Sequence, residues 1–523
     1  MNREDSELSL LKILIMKQFN LSLSFFLLFL ACSFGQKVDF IKVFGKPGYE
    51  DIRSMVFVEE KDQIVFTGLT MTANDPEGDV YLCSMDARGE IVKYDIYGKK
   101  KEDGGNGILK TSDGGFLISG HTELPIKGIE CDAMATKINS YGELEWQVNL
   151  GDSIDETSYA AVEDQLGNFW VVGTRKIEYS NRDVSVGILF KLDKTGDLVK
   201  TLVLPYSFVQ VAPNSGPLDN KVNRRAIRVY QVEENYLMVG GIIPYLASVE
   251  NGHSGFSSSS VLWKINMDSI KIENEIRIPS YNSSFTTKLN DMFVDTNRDK
   301  ILVFGTSGFS ETKKDTILSG HLWIGSVCYS NLRSDSTFVS PFDTKIKGSV
   351  RAAVLGQDGK IRLCGEIYDS LQTKAFWAVL NQKYELEKWD YIDLNNNSTA
   401  SSISIGKEND IFIGGQTWTP EESQMFVTRI FPFEATGVNS FKPSVFSVGY
   451  LASAKKIVIN TNQLGLVDPY SFQMINKNGM KILNQEIYNP TTEIDLTNLA
   501  AGIYFFQIYS KEGNLQTGKV VIH

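Results

Sequence analysis

The stretch Gly114–Thr122 reads GGFLISGHT. It opens on a turn-forming glycine pair, runs through a short apolar strand and meets Gly120 just before the pattern turns polar. The same pattern returns as DQIVFTGLT from Asp62, GNFWVVGTR from Gly167, ENYLMVGGI from Glu234, DKILVFGTS from Asp299, GKIRLCGEI from Gly359 and NDIFIGGQT from Asn409. Its anchors are Gly68, Gly120, Gly173, Gly240, Gly305, Gly365 and Gly415, spaced 50 to 67 residues apart. Self-similarity at this period signals an array of one supersecondary unit.

Each anchor strand follows another strand and a tight turn, as in GILKTSDGG and AAVEDQLGN. A variable loop and a third strand come next, such as DVYLCSMDARG or DAMATKINSYG. A fourth strand closes the unit, most clearly EWQVNLGDS from Glu145. Four antiparallel strands repeated seven times predict an all-β fold, a seven-bladed β-propeller, because each sheet buries its faces only by stacking on its neighbours. After MFVTRIF, Met425–Phe431, the last unit lacks a fourth strand. VDFIKVFGKPG, Val38–Gly48, reads like the missing one, so the N-terminal strand is expected to close the ring and cover its edge. The K-[LI]-[DN]-x-x-G hairpins at Lys137–Gly142 and Lys191–Gly196 resemble those of bacterial extracellular propellers.

Antiparallel alternation gathers the long loops on one rim. They are Ile242–Ser260, Ser307–Gly320 and Leu204–Arg225. Aromatics in or beside them, Tyr206, Phe208, Tyr245, Phe256, Tyr281 and Trp418, are candidate ligand contacts, because exposed rings stack on sugars or anchor protein partners. His121, His253 and His321 share that rim, and His121 joins the candidate ligand contacts; their separate units read as isolated histidines rather than a metal or catalytic cluster. DTNRDK, Asp295–Lys300, resembles half a Ca²⁺ loop but lacks its glycine and distal glutamate, and reads as a solvated turn. TSDGGF at Thr111 is a faint, unrepeated likeness to the Asp-box of sialidase propellers. The chain carries no G-x-S-x-G nucleophile motif and no phosphate loop. No cofactor or metal is called for.

The net charge of −11 disfavours nucleic acid or an anionic membrane as the main partner. Lys17 followed by the apolar run Leu21–Ala31 predicts a signal peptide over residues 1–35, with cleavage before Gln36 and Met16 as an alternative start. Lipidation at Cys32 is the second reading of that segment. No other apolar run is long enough to cross a bilayer as a helix. Cys83, Cys131, Cys328 and Cys364 lack metal-ligand spacing and are expected as buried thiols.

The propeller is expected over residues 37–435, a linker over 436–446 and a small β-sandwich over 447–523. TEIDLTNLAAGIYFFQIYS, Thr492–Ser510, with NKNGMKI before it and GKVVIH after it, resembles the C-terminal sorting domain of the type IX secretion system of Bacteroidota. Asp495, Leu496, Leu499, Gly502, Ile503, Tyr504 and Lys519 carry the resemblance. It implies passage to the periplasm, recognition by the outer-membrane secretion machinery, removal of the tail and a cargo released or held at the cell surface. Gly502 is expected to permit a tight turn into its strand, so that a β-branched residue there would weaken export. The cargo reads as a binding or adhesion module for a glycan or protein; the rival reading is a propeller hydrolase or lyase acting on polysaccharide.

Overall fold

The chain is known from a computed structural model. It describes residues 36–522 except 73–74, 99–102, 124–130, 152–154, 179–182, 205–221, 224, 249–253, 279–286, 308–319, 335–340, 343–345, 369–371, 408, 433–445, 452–454, 462–469, 477–480, 488, 490, 501 and 511–512. The proposed signal peptide and all of the proposed linker but Phe446 therefore lie outside the described residues, as do Tyr206, Phe208, His253 and Tyr281.

The chain divides into two units, and Gln36–Pro432 is one of them. Among its described residues are seven four-stranded antiparallel sheets, six of them in sequence order, the third carrying an extra short parallel strand. The second sheet is typical: Asp103–Lys110, Phe116–Glu123, Cys131–Ile138 and Leu144–Asn149. The first strand of each sheet packs on the first strand of the next, and Asn397–Ile405 of the seventh returns to Gly48–Val58 of the first. These seven strands therefore encircle a common axis, which is the arrangement of a β-propeller. Apolar side chains fill the spaces between sheets; Trp170 and Trp263, for instance, share one buried cluster with Val239 and Val261.

The seventh sheet takes its outermost strand from the N-terminal end. Gln36–Phe44 pairs antiparallel with Ser423–Pro432. Phe40 and Phe44 pack against the first sheet's core at Phe66 and Tyr81. The Thr428 hydroxyl donates to the Phe40 carbonyl at 2.7 Å. The strand thus covers an edge of the last sheet and joins it to the first.

The recurring glycine has a specific cause. In every sheet the first strand bulges at one equivalent residue: Arg53, Asn106, Tyr159, Ile227, Asn290, Arg351 and Ser401. The bulge presses a carbonyl of the first strand against the second. A Cβ at Gly120 would lie 1.9 Å from the Gly104 carbonyl oxygen, and the same clash recurs at Gly68, Gly173, Gly305, Gly365 and Gly415. Register corrects the anchor of the fourth sheet. Gly241, not Gly240, faces the residue before the bulge, Ala226.

Turns repeat as well. Gly89, Gly142 and Gly196 close the third-to-fourth strand turns at φ of +84°, +83° and +90°. In the sixth sheet Tyr384 takes that place at φ +66°, which is why a search for glycine loses the hairpin there. Its ring lies beside Arg298, and its hydroxyl meets Asp295 Oδ2 at 3.3 Å.

The described part of the other unit, Phe446–Ile522, has a three-stranded sheet, Phe446–Leu451, Lys456–Thr461 and Thr491–Asp495, and a four-stranded sheet of Lys481–Ile487, Tyr470–Asn476, Gly502–Ser510 and Gly513–Ile522. Ile457, Ile459 and Ile494 from the first sheet share a core with Phe472, Met474, Tyr504, Phe506 and Ile508 from the second. That is a small β-sandwich.

Candidate functional site

The proposed rim residues do not form one cluster among the described residues. His121 sits within the strand Phe116–Glu123, opposite Gly104 and Ala133. Burial, with the Arg53 charge behind it, pushes its pKa down to about 4, so it is neutral at ordinary pH. His321 begins the strand His321–Cys328 of another sheet. Trp418 ends Ile411–Trp418 and is half-buried. The Ile242–Ser260 segment is less of a loop than expected. Tyr236–Ser248 and Ser254–Asn266 extend as a hairpin with Leu246 opposite Phe256 and Tyr245 opposite Ser257.

Asp295–Lys300 is a turn exposed at Thr296 and Asn297, as expected, but anchored at its base. Asp295 is buried, accepts from the Arg298 N–H and pairs with the Arg298 guanidinium over a single 3-10 turn. In TSDGGF, Asp113 accepts from Gly115 N–H and the Thr111 hydroxyl and pairs with buried Lys137 at 2.7 Å. Burial works against that charge, but these donors prevail and hold the Asp113 carboxyl at about 2. No disulfide joins the four described cysteines; Cys83 and Cys364 are buried, Cys131 and Cys328 half-buried.

The polar chemistry that sequence reasoning missed lies on the innermost strands. At the bulge of the first sheet, Arg53 Nε donates to Asp51 Oδ2 at 2.9 Å, and Nη1 donates to Asn106 Oδ1 of the second sheet at 2.9 Å. Asn106 Nδ2 in turn donates to the Ser158 carbonyl of the third. Asn290 Nδ2 donates to the Ser349 hydroxyl and the Val350 carbonyl, both at 2.8 Å. Arg351 Nε and Nη2 both hold Glu366 Oε1, which also accepts from the Tyr368 hydroxyl, while Thr399 of the seventh sheet donates to Oε2. One residue past the bulge, Arg228 pairs with Asp291 at 2.7 Å, and Asp291 Oδ2 accepts from Ala353 N–H. Ser54 and Ser402 likewise accept from Ile108 N–H and Met55 N–H. An innermost strand has a free edge, and these side chains satisfy its donors and acceptors. A sequence signal was present: every bulge residue lies fourteen or fifteen residues before the glycine that faces its strand.

Glu50 ties the seam between the first and seventh sheets. Its carboxylate accepts from Lys46 N–H and the Thr70 hydroxyl, and its own N–H donates to Ser423 Oγ at 3.0 Å. Burial raises its pKa, opposed by Thr70 and Lys46.

In the C-terminal unit the sequence motif resolves into one turn. Asp495 Oδ1 accepts from Thr497 N–H at 2.8 Å, and Leu499 N–H donates to the Leu496 carbonyl. Leu496 is buried, and Leu499 packs against the same core. The Tyr504 hydroxyl reaches back to the Ala500 carbonyl at 2.8 Å. Ile503 and Lys519 lie on Gly502–Ser510 and Gly513–Ile522. Gly502 departs from expectation. It begins a regular strand, and a Cβ there would meet nothing closer than the Tyr504 ring at 3.7 Å. The turn is fixed by Asp495 and Tyr504 rather than by glycine's freedom.

Residues 453–523 match the family described as the secretion system C-terminal sorting domain. The tail is therefore a sorting domain of the type IX kind, which indicates export to the cell surface or secretion. No curated protein matches the chain. Solved structures similar to it include a protein of unknown function from Dyadobacter fermentans, 8% identical with a TM-score of 0.45, over 76% of this chain and 100% of that one. Another is a family PL25 ulvan lyase, 10% identical with a TM-score of 0.48, over 74% and 97%. A third is the β-propeller domain of the trilobed protease from Pyrococcus furiosus, 9% identical with a TM-score of 0.38, over 75% and 98%.

Proposed function

We propose that the chain is an exported binding protein: a propeller, with the seven sheets as its blades, that engages a glycan or protein outside the cell after its tail has carried it there. The reading includes a signal peptide over residues 1–35, a propeller over 37–435, a linker over 436–446, a tail over 447–523 and a Bacteroidota host. The observation that supports binding is that four acids on and beside the innermost strands are paired with arginine. Asp51, Asp291 and Glu366 each hold a guanidinium, and Asp410 holds Arg429 at 2.7 Å. Such pairs fix a scaffold, whereas glycoside hydrolysis needs two carboxyl groups poised at a set separation across a bond.

The test screens the purified full chain against immobilised glycans and labelled outer-surface proteins, with hydrolase and lyase assays on the same polysaccharides. Saturable binding without turnover is expected. Turnover that disappears on substituting an innermost-strand carboxylate would establish the polysaccharide-degrading alternative instead.

A further inference from the structure

The seven bulges share one backbone geometry but not one side chain. Within a repeat, a position at which every copy agrees answers to the fold; the glycine facing the bulge is such a position. A position whose backbone is held constant while its side chain varies can serve something besides the fold, and bulges re-aim side chains beside functional sites. The bulge residues are all half-buried although their strands are innermost. The open side of an innermost strand is the axis. In ring order they run Asn290, Arg351, Ser401, Arg53, Asn106 and Tyr159 from the fifth sheet round to the third, a continuous polar arc broken only by Ile227 of the fourth.

Two features of this arc point to a ligand. Arg53 commits Nε and Nη1 to Asp51 and Asn106 and leaves Nη2 without a partner among the described residues. Arg351 commits Nε and Nη2 to Glu366 and is hydrogen-bonded to the Tyr368 side chain as well. Both side chains keep access to solvent, at 26% and 33% exposed. The Arg53 guanidinium is thus locked by a carboxylate while it presents a terminal nitrogen, with Arg351 and Tyr159 to either side of it along the arc. Guanidinium N–H groups match a carboxylate's geometry, and pre-orientation lowers the entropy lost on binding.

We propose that the axial arc is a binding site for a small ligand that presents a carboxylate beside hydroxyl groups, a sugar acid or the acidic end of a short saccharide. The overall charge of −11 keeps long polyanions away and favours a short ligand. The proposal rests on the binding reading above and gives it a site and a ligand class.

The experiment titrates the full chain with digalacturonate by calorimetry, with maltose and inorganic sulfate as parallel arms. Three variants are compared: Tyr159→Phe, the pair Arg53→Gln with Asp51→Asn, and the pair Arg351→Gln with Glu366→Gln. The paired changes remove a guanidinium without stranding a buried charge. A variant at an exposed turn residue, Leu166→Ala, serves as reference, Trp418→Ala reports on the rim, and circular dichroism melting confirms that each is folded. Digalacturonate is expected to bind and maltose and sulfate not to; each paired variant should lose about tenfold or more in affinity, as for charge-assisted hydrogen bonds, and Leu166→Ala should bind like the parent. Tyr159→Phe, which keeps the ring and cannot strand a charge, should lose several-fold. Equal affinity of parent and folded arc variants overturns the site. Equal binding of maltose, binding of sulfate alone, or no binding of digalacturonate overturns the ligand class. A parent that binds another glycan through Trp418 leaves the binding function standing and moves it to the rim.

Discussion

At the residue scale, the glycine of each second strand is a steric consequence of the bulge it faces. Gly120→Ala would place a methyl group on the Gly104 carbonyl. Backbone cannot swing aside as a side chain can, so the bulge must shift, at a cost of about 1–3 kcal/mol. Urea unfolding followed by tryptophan fluorescence should show this loss, whereas Gly114→Ala, in a turn at φ +82° with nothing nearer than 3.7 Å, should show only the smaller penalty of that conformation. Glu50 gives a pH signature. Its folded pKa is raised, so folding favours its protonated form: the stability it contributes is present below the unfolded carboxylate range and is lost as pH rises through the folded pKa. Glutamine can serve both Lys46 N–H and Thr70. Glu50→Gln should therefore melt at or above the parent at pH 7.5, with the gap closing as the pH falls below the carboxylate range. A difference in melting temperature that stays constant with pH would show that Glu50 is not the group concerned.

At the element scale, the N-terminal strand does two jobs, because it is both the last sheet's edge and part of the first sheet's packing. Deleting residues 37–48 removes the ladder to Ser423–Pro432 and the Phe40 and Phe44 rings. It also strands Glu50 without the Lys46 N–H. The shortened ring should melt lower by at least about 5 °C, several kcal/mol for a domain of this size, and should self-associate through the bared strand. Equal melting and a monomeric profile on a sizing column would refute the closure role. The Ile242–Ser260 segment shows how far element reading reached. Its serines and glycines read as a loop, yet two strands continue through it, because cross-strand pairing with a long partner overrides weak local propensity.

At the scale of the whole molecule, two units carry two tasks. The sorting domain has its own core, so it should act on cargo unrelated to this one. Residues 438–523 fused to an unrelated periplasmic protein are expected to bring it to the surface or medium of a type IX-competent host, as read by protease accessibility. Gly502→Val in that fusion should leave export intact, since the strand there has room for a side chain. A wild-type fusion held in the periplasm while native cargo leaves normally would show that the tail does not suffice.

The sequence by itself determined the repeat, the strand that closes the ring and the nature of the tail. Each is written in local patterns: an apolar strand ending at a glycine, an unmatched strand at either end, a turn capped by Asp495. Only the tertiary structure decided which glycine faces the bulge in the fourth sheet, where Tyr384 replaces a turn glycine, and which side chains meet round the axis. Arg53, Asn106 and Ser158 lie some fifty residues apart in sequence, and Arg351 far beyond them. They become neighbours because seven sheets close on themselves, and a closure of that kind is set by packing between units rather than by any pattern within one.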